Sequence, residues 1–317
     1  ETLAPTVISV EIADAEGDQN SFLNEGDNVS VTATFSEAVI VDNTSANPTI
    51  TLVVGSTDRP ATYTGGTGTS QLVFQYTIQA LETDSDGISI GAGAFALPSN
   101  STIKDAAGNN ANLTHDPVGH NDNFKVDTTT PSVISFTISD PLLTIGETAT
   151  VELEFSESVI YFSTDNITVP NLDNETPSGT LPSMDSLDNI TWTGTFTPTD
   201  KAEDASNKLS LLTSYTDPAG NAGLAAETSN YAVETLAPTV INVGITTATG
   251  VQNNFVNEGD NVSVTATFSE AVIVDNTSAN PTLTLVVGST PRAATYTGGT
   301  GTSQLVFQYM IKAGDNV

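Results

Sequence analysis

This chain repeats itself, and that limits what it can fold into more than any other feature. ETLAPTV begins at Glu1 and again at Glu234, an offset of 233, and residues 24–57 return at 257–290 with one change, Ile50 to Leu283. A more distant copy lies between them. DTTTPSVISFTIS starts at Asp127, IGETATVELEFSESVI at Ile145, and DPAGNAG at Asp217 parallels DAAGNNA at Asp105. Such a chain is one domain built several times over, not one large fold. The copies run 1–126, 127–233 and 234–317, and the third stops at the equivalent of Asp84 in the first.

Within a copy the apolar period is two, the period of strands. Val29, Val31, Ala33 and Phe35 alternate with polar residues in NVSVTATFSEAV, and Leu72, Phe74, Tyr76 and Ile78 do so in SQLVFQYTIQ. With TVISVEIADA, PTITLVVG, RPATYTG, GISIGAGAFAL and HNDNFKV these make seven expected strands, A to G, separated by turn residues. That spacing predicts an all-β sandwich. No segment carries a helical apolar stripe. GGTGTS at Gly65, repeated at Gly298, reads as the D–E turn. It is not a phosphate loop, because no Lys-Ser/Thr ends it and no helix follows.

Charge narrows the partners. The 38 acidic residues against 7 basic ones leave a net charge of −31. Nucleic acid and anionic membrane surfaces are excluded on that balance, since both need basic patches. No apolar run is long enough to span a bilayer as a helix, and the opening residues show no signal peptide. Cysteine is absent, which removes disulfides and thiolate metal sites. Cations are the partners this chemistry favours.

The order [DE]TxxP, G[DE]xxxVxxxFSExV, GGxGTSxLxFxY and DxAGN resembles bacterial Ig-like repeats, over essentially the whole chain. That resemblance implies tandem Ig-like Greek-key sandwiches in the stalk of an extracellular bacterial adhesin, with calcium between modules in several such proteins. In a sandwich of this kind the A–B and E–F loops lie at the C-terminal pole, and the B–C and F–G loops at the N-terminal pole. The first junction then gathers Glu25, Asp27, Glu82, Asp84 and Asp86 from below, Asp127 in the linker, and Glu157, Asp217 and Asn221 from above. The second gathers Glu147, Asp200, Glu203, Asp204, Glu234 and Glu270. The matching positions at the first module's own N-terminal pole are Glu1, Glu37, Asp105 and Asn109. So many carboxylates repel unless a cation joins them. Calcium takes six to eight oxygen ligands in forgiving geometry, whereas zinc would want His or Cys.

Other signals are weaker. His115 and His120 in HDPVGH have no counterpart in the second module and read as a surface loop. Trp192, the single Trp, falls on strand E of the second module, where core packing is expected. Asn-x-Ser/Thr triplets such as Asn28, Asn43, Asn100 and Asn166 are ordinary in so Asn-rich a chain. No His recurs to build a triad, so an enzyme is not expected. The sequence reads as a calcium-stiffened stalk segment on the bacterial cell surface, its modules each other's neighbours. The alternatives are a module that binds a glycan or protein itself, through VPNLDNETPSGTLPSMDSLDN, and a filament or surface-layer subunit completed by strand addition.

Overall fold

The computed structural model describes residues 3–173 and 175–315. Glu1, a candidate ligand, lies outside the described residues. The chain divides into two compact units, Glu1–Glu234 and Thr235–Val317.

The first unit opens with β1 (Val7–Glu16), β2 (Phe22–Leu23), β3 (Asn28–Asp42), β4 (Thr49–Val54), β5 (Thr57–Gly65), β6 (Thr69–Thr77), β7 (Thr83–Asp84), β8 (Ser89–Ala96), β9 (Thr102–Lys104) and β10 (Lys125–Asp127). The pairing order is β1-β3-β6-β5-β4-β8, with β9 on the end of β3. β10 lies between β2, parallel, and β7, antiparallel. This is an Ig-like sandwich: the sheet β1-β3-β6-β5-β4-β8 and the smaller sheet β2-β10-β7 bury their apolar side chains in one core. β5 bonds to both β4 and β6. The alternation read along β3 is the reason it forms, since Val29, Val31, Ala33 and Phe35 all point into the core. Phe35, Phe74 and Phe95 meet there edge-on or tilted. The β5–β6 turn needs glycine at Gly66: its φ is +103°, and a Cβ would stand 2.0 Å from the Gln71 carbonyl oxygen.

Two expectations change here. Of the expected strand G, HNDNFKV, only Lys125 and Val126 lie in a strand, β10. Residues before it are bent by Asn121, whose side chain takes the Asn123 N–H at 3.1 Å and whose carbonyl takes that of Phe124 at 2.8 Å. His115 is buried rather than on a surface loop. Its Nε2 accepts the Ala94 N–H at 2.9 Å, and its ring packs edge-on against Phe95.

A second core follows in the same unit, built on β11 (Val133–Ile138), β12 (Leu142–Thr144), β13 (Ala149–Phe155), β14 (Ile167–Thr168), β15 (Gly179–Thr180), β16 (Met184–Asp185), β17 (Thr191–Pro198), β18 (Glu203–Asn207), β19 (Ser210–Leu211), β20 (Ala226–Glu227) and β21 (Tyr231–Glu234). β13 pairs with β11 and β17, as β3 pairs with β1 and β6. β21 lies between β12, parallel, and β18, antiparallel, which repeats the setting of β10. Trp192 packs at the rim of this core, 4.8 Å from the Phe162 ring.

The second unit holds β22 (Val240–Ala248), β23 (Asn261–Val272), β24 (Thr282–Val287), β25 (Thr290–Gly298) and β26 (Thr302–Met310), in the order β22-β23-β26-β25-β24. Its core gathers Ala266, Ala294, Leu305, Phe307 and Tyr309.

Candidate metal centre

Within the first unit, Asp127, Glu157 and Asp217 meet. One carboxylate oxygen from each lies within 4.8 Å of the others. Three different elements supply them. Asp127 ends β10 and is turned by the Thr129 N–H, which donates to its Oδ1 at 2.9 Å. Glu157 follows β13, held by a reciprocal pair one residue earlier: Ser156 N donates to the Ser132 carbonyl at 2.8 Å, and Ser132 N to Ser156 Oγ at 2.9 Å. Asp217 is fully buried in the DPAGN turn, where Asn221 donates its backbone N–H to Oδ1 at 2.9 Å and its side-chain amide to Oδ2 at 2.8 Å. The same Asn221 amide reaches the Asp127 carbonyl at 2.9 Å, which ties the turn to the linker.

The joint is braced by the preceding A–B loop. Asn20 donates to the Pro218 carbonyl and Asn24 to the Ala219 carbonyl, each at 2.9 Å. The A–B and F–G loops therefore face one another, as strand alternation predicts. The electrostatic result is unfavourable without a cation. Burial first, then repulsion from Asp127 and Asp217, pushes Glu157 up to about 7. Asp217 is also raised, chiefly by burial. Asp105 occupies the same turn in the first module and accepts the same two bonds from Asn109, at 2.7 and 2.6 Å. It is held below its ordinary range, chiefly by the Asn109 side chain. Among the described residues, the turn of Asp217 is also gripped by the preceding module, through the Pro218 and Ala219 carbonyls. Glu37 follows Ser36, and Glu270 follows Ser269, each serine paired with the start of its strand A just as Ser156 is.

The other expected ligands do not join this trio. Asp84 and Asp86 form a separate group with His120, beside a cleft of about 520 Å³ that Asp127 also lines. Asp84 is buried and accepts N–H bonds from Gly55 at 2.7 Å and Gly87 at 2.8 Å. His120 Nδ1 stands 3.4 Å from Asp86 Oδ2 and 3.0 Å from the Gly87 carbonyl. Glu82 is taken up by Arg59, Tyr76 at 2.6 Å and the Gln79 N–H at 2.9 Å. Asp27 and Glu147 are turn caps: each accepts the N–H three residues earlier, Asn24 at 2.8 Å and Thr144 at 2.9 Å. Glu25 is exposed. Asp200 is exposed in a turn, Asp204 accepts the Ser206 N–H at 2.9 Å, and Glu234 stands opposite Glu203 at the end of β21.

Sequence reasoning missed the serine of F-S-E and the two asparagines of the A–B loop, and it set His120 aside as a surface-loop residue. The serine was detectable, because it recurs in all three copies immediately before the glutamate.

The fold and this joint define a class: tandem Ig-like β-sandwich modules that meet at an acid-lined linker. Residues 127–233 match the family model described as the bacterial Ig-like domain. A comparison with curated proteins finds no match. Solved structures overlay only loosely. FdeC, an Escherichia coli adhesin, is 13% identical with a TM-score of 0.32, over 98% of this chain and 88% of that one. The extracellular region of plexin A4 is 9% identical with a TM-score of 0.25, over 99% and 31%. Dimeric latent PorU from Porphyromonas gingivalis is 12% identical with a TM-score of 0.19, over 99% and 31%. With TM-scores this low, none of the three bears on what this chain does.

Proposed function

We propose that this chain is a structural segment of a bacterial surface protein. It extends and stiffens a stalk outside the cell, and calcium clamps the joint at Asp127, Glu157 and Asp217. The observation that carries this reading is the convergence of three carboxylates, one from the linker at the end of β10 and two from the module that follows it, with oxygen within 4.8 Å of oxygen. Their chemistry fits the ion: all donors are oxygen, and three carboxylates offer up to about six. The Asp84, Asp86 and His120 group contains a nitrogen donor and fits calcium less well. With the ion bound, the linker is held to the module above it. Without it, repulsion loosens that hold, and Pro131 stiffens the linker in either state. Catalysis has no part in this reading.

The test is thermal unfolding and solution scattering of the chain in calcium, in magnesium and in chelator. A calcium-specific rise in melting temperature with a longer, stiffer particle is expected. Identical behaviour in all three refutes the clamp.

A further inference from the structure

The three carboxylates of the joint lie on the linker and the following module, yet one loop of the preceding module holds the supports of two of them. Between Asn20 and Asn24 runs β2. It pairs in parallel with β10, Lys125 against Phe22 and Val126 against Leu23, and Lys125 donates its N–H to the Ser21 carbonyl at 3.0 Å. The next residue of β10 is Asp127. On either side of β2, Asn20 and Asn24 hold the Pro218 and Ala219 carbonyls, the two that follow Asp217. The Gln19 side chain fills the space beside Gly220, 2.4 Å from where a Cβ would stand, so loop and turn are in close contact.

The loop has a shape of its own. Gln19 and Phe22 exchange backbone bonds at 2.8 Å each, Asn20 and Ser21 are left-handed with φ of +51° and +66°, and Asp27 Oδ2 takes the Asn24 N–H at 2.8 Å. The same shape recurs in the second unit, where Asn253 and Asn254 are left-handed and Asp260 takes the Asn257 N–H at 2.6 Å. The turn is equally local, since Asn109 closes it on Asp105 as Asn221 does on Asp217. What the bonds from the loop to β10 and to the turn add is the spacing between Asp127 and Asp217.

We infer that the Asn20–Asn24 loop is the gauge of the joint. It holds Asp127 and Asp217 at a spacing suited to calcium, and so sets the affinity of the joint and its preference for calcium over magnesium while supplying no ligand. This role rests on the calcium clamp proposed above. Magnesium needs oxygens at about 2.0–2.1 Å in a near-ideal octahedron, and calcium takes them at about 2.3–2.6 Å. Carboxylates that cannot draw in therefore disfavour the smaller ion. Linkage makes the effect mutual: calcium tightens the loop's hold on the turn by the factor by which the loop tightens calcium. Asn20 and Asn24 are thus positioning residues.

The test compares the full chain with its Asn20→Ala/Asn24→Ala variant by titration calorimetry, with calcium and with magnesium. Asp217→Asn marks which binding step belongs to the joint. The double variant should bind calcium about tenfold more weakly and magnesium as before. In hydrogen exchange followed by mass spectrometry, calcium should slow exchange over residues 19–24 of the wild type, where no ligand lies, and far less in the variant. Asn253→Ala/Asn257→Ala makes the same change in the other compact unit and should leave calcium binding as it is. Unchanged calcium affinity in the Asn20 and Asn24 variant overturns the inference and leaves the clamp standing. An equal loss for both ions does the same, because the loop would then only support the fold, and so does an equal loss from the Asn253 and Asn257 variant. A wild type that binds no calcium overturns the clamp, and the gauge with it.

Discussion

Replacing Glu157 by Gln keeps the shape of the side chain and removes one of the three converging charges. Glu157 is a carboxyl raised from 4.5 to about 7. It therefore favours the folded state fully below pH 4.5, and that contribution is lost as pH climbs through about 7. Two and a half pH units correspond to at most about 3 kcal/mol. Water still reaches this half-buried side chain, and screening reduces the effect to about 1–2 kcal/mol. In chelator at pH 8, Glu157→Gln should then melt roughly 2–8 °C above the wild type. At pH 5 the two should coincide, because the wild-type carboxyl is already largely protonated. Calcium at a hundredfold excess over its Kd should stabilise the wild type by about 2.7 kcal/mol and the variant by far less. Trp192 is the only Trp and packs on Phe162 in the module that carries Glu157, so its fluorescence reports this transition separately from the rest of the chain. Equal melting of the two proteins at pH 8 in chelator would refute the repulsion. Equal stabilisation by calcium would move the ion elsewhere, with the Asp84, Asp86 and His120 group the next place to look.

Other substitutions probe how the joint and its modules are built. Ser156→Ala removes the acceptor for the Ser132 N–H; a loss of about 1 kcal/mol is expected, with weaker calcium binding measured by titration calorimetry, whereas Ser36→Ala should leave calcium binding at Asp217 unchanged. Tyr76→Phe strips a donor from buried Glu82. It should cost about 1–2 kcal/mol in denaturant unfolding and remove the Tyr76 phenol, pushed up to about 12 chiefly by burial, from the spectroscopic titration. Gly66→Ala places a Cβ against the Gln71 carbonyl on a left-handed backbone and should destabilise the first module by about 1–3 kcal/mol, read from the same unfolding curves.

Much of the fold was legible because its signals are local and repeated. The period-two stripe of β3 and the glycine turn between β5 and β6 each specify one structure. The convergence of Asp127, Glu157, Asp217 and Asn221 was also legible, from strand alternation within the Ig-like sandwich that the resemblance implies. Alternation fixes the pole at which a loop lies, and it does not fix which way a side chain turns there. Asp27 and Glu147 illustrate the limit: both lie at the pole expected of them, yet each folds back to cap its own turn. Glu82 was hidden for a different reason. Arg59, far from it in sequence, captures it, and nothing local announces that pairing. His120 was set aside because the second module has no counterpart, although a single group of residues needs none.

The A–B loop that braces the joint has a consequence for how such chains can be copied. Asn20 and Asn24 grip the Pro218 and Ala219 carbonyls. Asn253 and Asn257 repeat those two asparagines at the offset of 233, but the loop between, SDPLLTIGE from Ser139, contains no asparagine. Two kinds of loop thus alternate along the chain. A copy made at the offset of 233 therefore carries the gripping loop and the turn it grips together.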